Sequence, residues 1–98
     1  MSRATIQKIY NELKPELIYE ASKKALTDLG HEIYKQRPFA YLVEARTTTE
    51  EGLVLANLIV NAFTKEFSLV VKSETASQET VDDIANDILK AFEENLRS

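Results

Sequence analysis

The chain has 98 residues, of which 44% are hydrophobic, with twelve basic side chains against sixteen acidic ones for a net charge of -4. That composition fits one globular domain spanning residues 1–98 and excludes a disordered chain. With no cysteine, disulfide scaffolds, thiol catalysis, zinc ribbons and iron–sulfur clusters are excluded within this sequence, and a reducing cytoplasm is the compatible compartment.

The first eight residues hold no apolar run of the kind that a secretory signal needs. The longest mostly apolar stretch, Leu53 to Phe63, is too short to span a bilayer and contains Asn57 and Asn61. No membrane role is expected. Two glycines and two prolines in all leave no material for linkers, a P-loop or a dinucleotide-binding turn.

Residues 4–29 read as a helix. Ile6, Ile9, Tyr10, Leu13, Leu17, Ile18, Ala21, Ala25 and Leu29 keep a spacing of three or four. Pro15 interrupts this register, so the helix either kinks near Asn11–Lys14 or breaks, with Pro15 opening a second helix. Residues 1–14 are then a candidate helical arm. Gly30 suits a left-handed helix end.

Residues 31–36 have weak strand character. The pattern of residues 39–46 predicts a strand with Phe39, Tyr41, Val43 and Ala45 on one face and Ala40, Leu42, Glu44 and Arg46 on the other. A turn over Thr49–Gly52 leads into a strand over 53–62, whose Val54, Ala56, Leu58, Val60 and Ala62 make a wholly apolar face. A buried helix over 49–63 is the rival, because Thr48 and Glu51 match a capping box. Residues 66–73 alternate again, with Phe67, Leu69 and Val71 on one side and Ser68, Val70 and Lys72 on the other. A final helix starts near Ser77, with Thr75 or Ser77 as its cap and Val81, Ile84, Ala85, Ile88, Leu89, Phe92 and Leu96 as its stripe.

The expected fold is α+β: a two-layer sandwich in α-β-β-β-α order. An antiparallel sheet of three or four strands carries its N- and C-terminal helices on one face. The other face then presents Leu42, Leu55, Ile59 and Val70 among Arg46, Asn57, Asn61 and Lys72. Exposed apolar area of that extent marks contact sites. Ile6 and Ile9 on the N-terminal arm form a second candidate contact.

These residues point to a non-enzymatic interaction or assembly module, homodimeric or joined to another protein. The alternative is a small-ligand binder or enzyme with a helix–sheet pocket at His31, Tyr34 and Tyr41. No nucleophile elbow, catalytic dyad, metal-ligand set or cofactor motif is present, so no catalytic residue, metal or cofactor is assigned. The element order is also that of double-stranded-RNA-binding domains, whose last helix opens on basic residues. Here residues 74–98 hold seven acids and two bases, and nucleic acid is disfavoured as a partner. No motif identifies a family.

Overall fold

The computed structural model describes residues 1–97. The chain runs β1 (Ser2–Ile9), α1 (Pro15–Asp28), β2 (Glu32–Arg37), β3 (Leu42–Thr49), β4 (Gly52–Val60), β5 (Glu66–Ser73) and α2 (Gln78–Arg97). All strand pairs are antiparallel, in the order β1-β5-β4-β3-β2. Strands β2 to β5 form a meander of short connections. Strand β1 joins its far edge, and α1 carries the chain back across the sheet.

Both helices lie on one face of the sheet, as the alternation in β3, β4 and β5 requires. Val43, Ala45, Val54, Ala56, Leu58, Val60, Phe67, Leu69 and Val71 point under the helices and are buried. They meet Ile18, Ala21, Ala25 and Leu26 of α1 and Val81, Ala85, Ile88 and Phe92 of α2 in one core. Phe67 and Phe92 stack with ring centroids 4.1 Å apart, and Tyr10 closes edge-on against Phe92 at 5.4 Å. Burying side chains of this size contributes about 1.5–3 kcal/mol each.

Local chemistry sets the helix ends. Pro15 opens α1 with its φ already helical and no N–H to satisfy. At the other end Gly30 takes φ +80°, its N–H donates to the Thr27 carbonyl, and His31 N–H donates to the Leu26 carbonyl. These two bonds form a Schellman closure. Helix α2 is capped by Ser77, whose Oγ accepts the Thr80 N–H at 3.2 Å.

Residues 2–9 are a strand and not the start of a helix, so the expected helical arm is corrected. Of the two alternatives at Pro15 the break is formed: Pro15 opens a second, shorter segment, the helix α1, after the Tyr10–Lys14 connection. The sheet has five strands and not three or four, because both 2–9 and 32–37 pair. The strand expected over 39–46 begins at Leu42. Pro38–Ala40 form a single 3-10 turn, and Tyr41 ends it in the left-handed region at φ 51°. Residues 52–60 are the strand, and the rival helix over 49–63 is not formed.

Candidate functional site

With both helices on one side, the opposite face of the sheet is open. Strand pairing arranges it in rows, since residues directly opposite one another share a face. One row runs Arg3, Lys72, Leu55, Arg46, Glu32. The next runs Thr5, Val70, Asn57, Glu44, Lys35. The third runs Gln7, Ser68, Ile59, Leu42, Arg37.

The apolar members cluster on and around the central strand β4. Leu42 lies directly opposite Ile59, Val70 opposite Asn57, and Leu55 between Lys72 and Arg46. Ile59 is 45% exposed and Leu53, at the end of the same strand, 48%. Leu42, Leu55 and Val70 are half-buried by their neighbours alone. Four aliphatic side chains expected on one face are therefore brought together there.

Polar groups frame the strip unevenly. On the β2–β3 side they satisfy each other. Arg46 binds Glu32 at 2.5 Å and lies 5.4 Å over the Tyr34 ring. The Tyr34 hydroxyl donates to Glu44 at 3.1 Å, and Lys35 reaches the same carboxylate at 3.5 Å. Burial and the bond to Glu44 hold the Tyr34 phenol above its ordinary pKa. On the β1–β5 side Arg3 and Lys72 stand side by side, and neither enters an ion pair among the described residues.

Other expected site residues fall elsewhere. Asn61 is not on the face. It holds the β4–β5 turn, its Oδ1 accepting the N–H groups of Phe63 and Thr64 at 2.9 and 3.1 Å. Ile6 sits opposite Leu69 and packs against the chain's own core. Ile9, at the end of β1, is 56% exposed.

His31, Tyr34 and Tyr41 do not form a pocket. Tyr34 lies on the open face. Tyr41 lies past the opposite end of β2 from His31, against Tyr19 at 5.7 Å, and its hydroxyl donates to Glu16 at 3.0 Å. His31 follows α1, with its Nδ1 buried and without a hydrogen-bond partner among the described residues. Burial pushes the imidazole below its ordinary pKa, against the pull of Asp87. Among the described residues no group of three or more His, Asp and Glu side chains is placed to hold a metal ion.

Two features escaped the sequence reading. Arg3, Thr5 and Gln7 extend the open face across a fifth strand, an alternation hidden by the helical spacing of Ile6, Ile9 and Tyr10. Phe39 and Phe63 are fully exposed on the β2–β3 and β4–β5 connections, at the same end of the sheet. The alternation of residues 39–46 places Phe39 on the covered face with Tyr41 and Val43, and the structure does not. The signal against that was Pro38, which removes a ladder donor immediately before it.

No helix of the described chain is long and apolar enough to cross a membrane. No family model matches the sequence, and no curated protein matches it. Among solved structures, the chain is similar to a DUF4468 family protein from Bacteroides ovatus, with a TM-score of 0.62 and 8% identity, over 92% of this chain and 85% of that one. At that identity the likeness shows a shared fold alone: an α+β architecture in which a five-stranded antiparallel sheet carries two helices.

Proposed function

We propose that this chain is a non-enzymatic protein–protein interaction module that assembles with a second copy of itself through the open face of the sheet. The observation that carries the reading is the aliphatic strip of Leu42, Leu55, Ile59 and Val70 on a face that none of the described elements covers.

Geometry supports a face-to-face pair. Five strands about 4.8 Å apart, with three rows roughly 7 Å apart along them, present on the order of 500 Å² per chain. Two such faces bury roughly 1,000 Å² before side-chain relief is counted, which is the lower bound for a specific interface. Sheets pack this way about 10 Å apart, with inward side chains interdigitating. Arg46–Glu32 and Lys35–Glu44 are already paired in the single chain, and Arg3, Lys72 and Arg37, which enter no ion pair among the described residues, lie away from the middle of the strip, where a polar rim stays wet.

Light scattering on a sizing column over a concentration series tests the reading. The expected mass is two chains or an even multiple. Ile59→Asp places a carboxylate at a half-exposed position in the middle of the strip and should return a folded single chain. A single-chain mass for the unmodified protein at every concentration overturns the reading, as does an unchanged mass for Ile59→Asp.

A further inference from the structure

The two edges of the sheet are unequally protected. Strand β2 is short, its register breaks between Ile33 and Lys35, and Pro38 follows it. A bulge, a proline and the outlying charges of Lys35 and Arg37 are devices that prevent another strand from adding. Strand β1 pairs with β5 without a break over all eight residues and contains no proline. Its one charge on the helix side, Lys8, is neutralised by Glu93 at 3.2 Å.

Antiparallel pairing alternates which residues point their backbone groups at the neighbour. Two contacts fix that alternation in β1. Tyr10 N–H donates towards the β5 side, to the Lys65 carbonyl, at 3.0 Å. Arg3 points the other way: its N–H donates to Gln78 Oε1 at 3.3 Å and its carbonyl accepts from Gln78 Nε2 at 2.7 Å. The odd-numbered positions therefore face outward. Arg3 is covered by the Gln78 amide, while Thr5, Gln7 and Ile9 keep N–H and C=O groups along the edge that have no partner among the described residues.

We propose that this edge pairs with β1 of a second copy, antiparallel and centred on Gln7. One register uses all three free residues and no others. It sets Gln7 against the partner's Gln7, and Thr5 against the partner's Ile9, for six backbone hydrogen bonds. A slide of one step in one direction draws in Arg3 and requires Gln78 to let go. A slide in the other direction loses a pair. In the centred register no like charges oppose each other, and the exposed Ile9 side chain is covered.

The resulting symmetry is compatible with the face-to-face pair, and this inference rests on that reading for its final assembly. Edge pairing has its two-fold axis normal to the sheet. Face packing has its axis in the plane between the sheets. Perpendicular two-folds that intersect close into a tetramer; a face axis that passes over the strip and through the edge two-fold at Gln7 gives two ten-stranded sheets packed open face to open face. Edge pairing sets two open faces side by side, so the face contact doubles to roughly 2,000 Å², well within the range of stable interfaces. Three residues per edge are too few to hold a pair unaided, so edge pairing is expected only with the face contact present.

Light scattering on three single variants separates the two contacts. The unmodified chain should have a four-chain mass. Gln7→Lys, at an exposed position, brings two ammonium groups together at the two-fold and should leave a two-chain mass with unaltered circular dichroism. Gln7→Pro removes the central N–H from an edge that can tolerate it and should do the same. Ile59→Asp should return single chains. A two-chain mass for the unmodified protein that falls to one with Ile59→Asp overturns edge pairing and leaves the face contact standing. A single-chain mass for the unmodified protein overturns both. A Gln7→Lys mass equal to that of the unmodified chain also overturns edge pairing, including the case where a different protein, and not a second copy, occupies β1.

Discussion

Gly52 and Thr75 are packed so closely that position 52 has no room for a side chain: a β-carbon built there lands within the Thr75 hydroxyl. The approach is fixed from both sides. Gly52 opens β4 at φ +110°, a region that side-chain-bearing residues rarely adopt. Thr75 Oγ1 donates to the Glu51 carbonyl at 2.6 Å and so cannot swing away freely.

Gly52→Ala therefore incurs backbone strain and overlap together, and should cost about 2–4 kcal/mol of unfolding free energy. Gly30→Ala is the control. Its φ is also positive, but nothing lies within 4 Å of the added carbon, so only the strain of about 1 kcal/mol applies. Urea midpoints of the two variants check the contrast, and equal midpoints contradict it.

The same corner anchors α2. Glu51 accepts the Ser77 N–H and the Thr80 hydroxyl at 2.6 Å each, adding a carboxylate to the positive end of the helix. The Thr80 hydroxyl, with the Ser77 N–H, holds its pKa below the usual carboxylate value. A depressed pKa in the folded state contributes stability that is complete above the unfolded value near 4.5 and is lost as pH falls through the folded one. Glu16 and Asp28 are lowered too. The expected result is a melting temperature that falls below about pH 4.5. In Glu51→Gln it should start lower and fall less over that window. Parallel melting curves against pH for the two proteins would contradict this.

His31 acts at higher pH. It is depressed mainly by burial, so the folded state holds it neutral while the unfolded chain protonates near pH 6.5. Stability should be complete above that pH and decline as pH drops below it. His31→Leu should flatten the decline between pH 6.5 and 5. A melting profile of the unmodified protein that is already flat over that interval contradicts the assignment.

All four tyrosines are displaced upward, each for a local reason. Tyr10 is pushed up to about 12 by burial and by the Glu93 carboxylate beside it. Tyr19 is raised by burial, Tyr34 by burial and Glu44, and Tyr41 by its bond to Glu16. Spectrophotometric titration should show no phenol ionising at its free value near 10, and Tyr10→Phe should remove the last step. A normal first step would contradict the Tyr41–Glu16 and Tyr34–Glu44 bonds.

The stacked pair Phe67–Phe92 joins β5 to α2. Phe92→Ala should cost about 3–5 kcal/mol, because the rings of Phe67 and Tyr10 both lose their contact with it. Chemical denaturation measures this directly. A loss below 1 kcal/mol would mean that the two rings close the gap.

Much of the covered layer could be read in the residues. Phe67, Leu69 and Val71 alternate with polar neighbours and form the central part of β5. Ser77 marks the start of α2, and Gly30 the end of α1. Leu42, Leu55, Ile59 and Val70 share a face because period-two alternation survives in β3, β4 and β5. Strand β1 was illegible for a physical reason. In Ala4–Tyr10 the alternation Ala4, Ile6, Lys8, Tyr10 has a lysine on the covered side, which only Glu93, far away in sequence, makes tolerable. The competing spacing of Ile6, Ile9, Tyr10 and Leu13 also fits a helix, and it runs without a break into the true stripe of α1. Tyr41 gave no warning of its left-handed backbone, since glycine or asparagine is the usual occupant there. Lys8→Val would make the alternation in β1 complete without changing its pairing.

Because β1 lies beside β5, the earliest strand of the sheet in chain order has to wait for the latest. Ser2 is opposite Ser73, and Gln78 covers the edge that Arg3 would otherwise expose. The meander from β2 to β5 closes through neighbouring hairpins, whereas β1 pays the loop-closure entropy of nearly the whole chain. Until then its free hydrogen-bonding groups and those of β5 are both unguarded. The interval between meander formation and the docking of β1 is thus when a nascent chain is most exposed to exchanging its N-terminal strand with a neighbour.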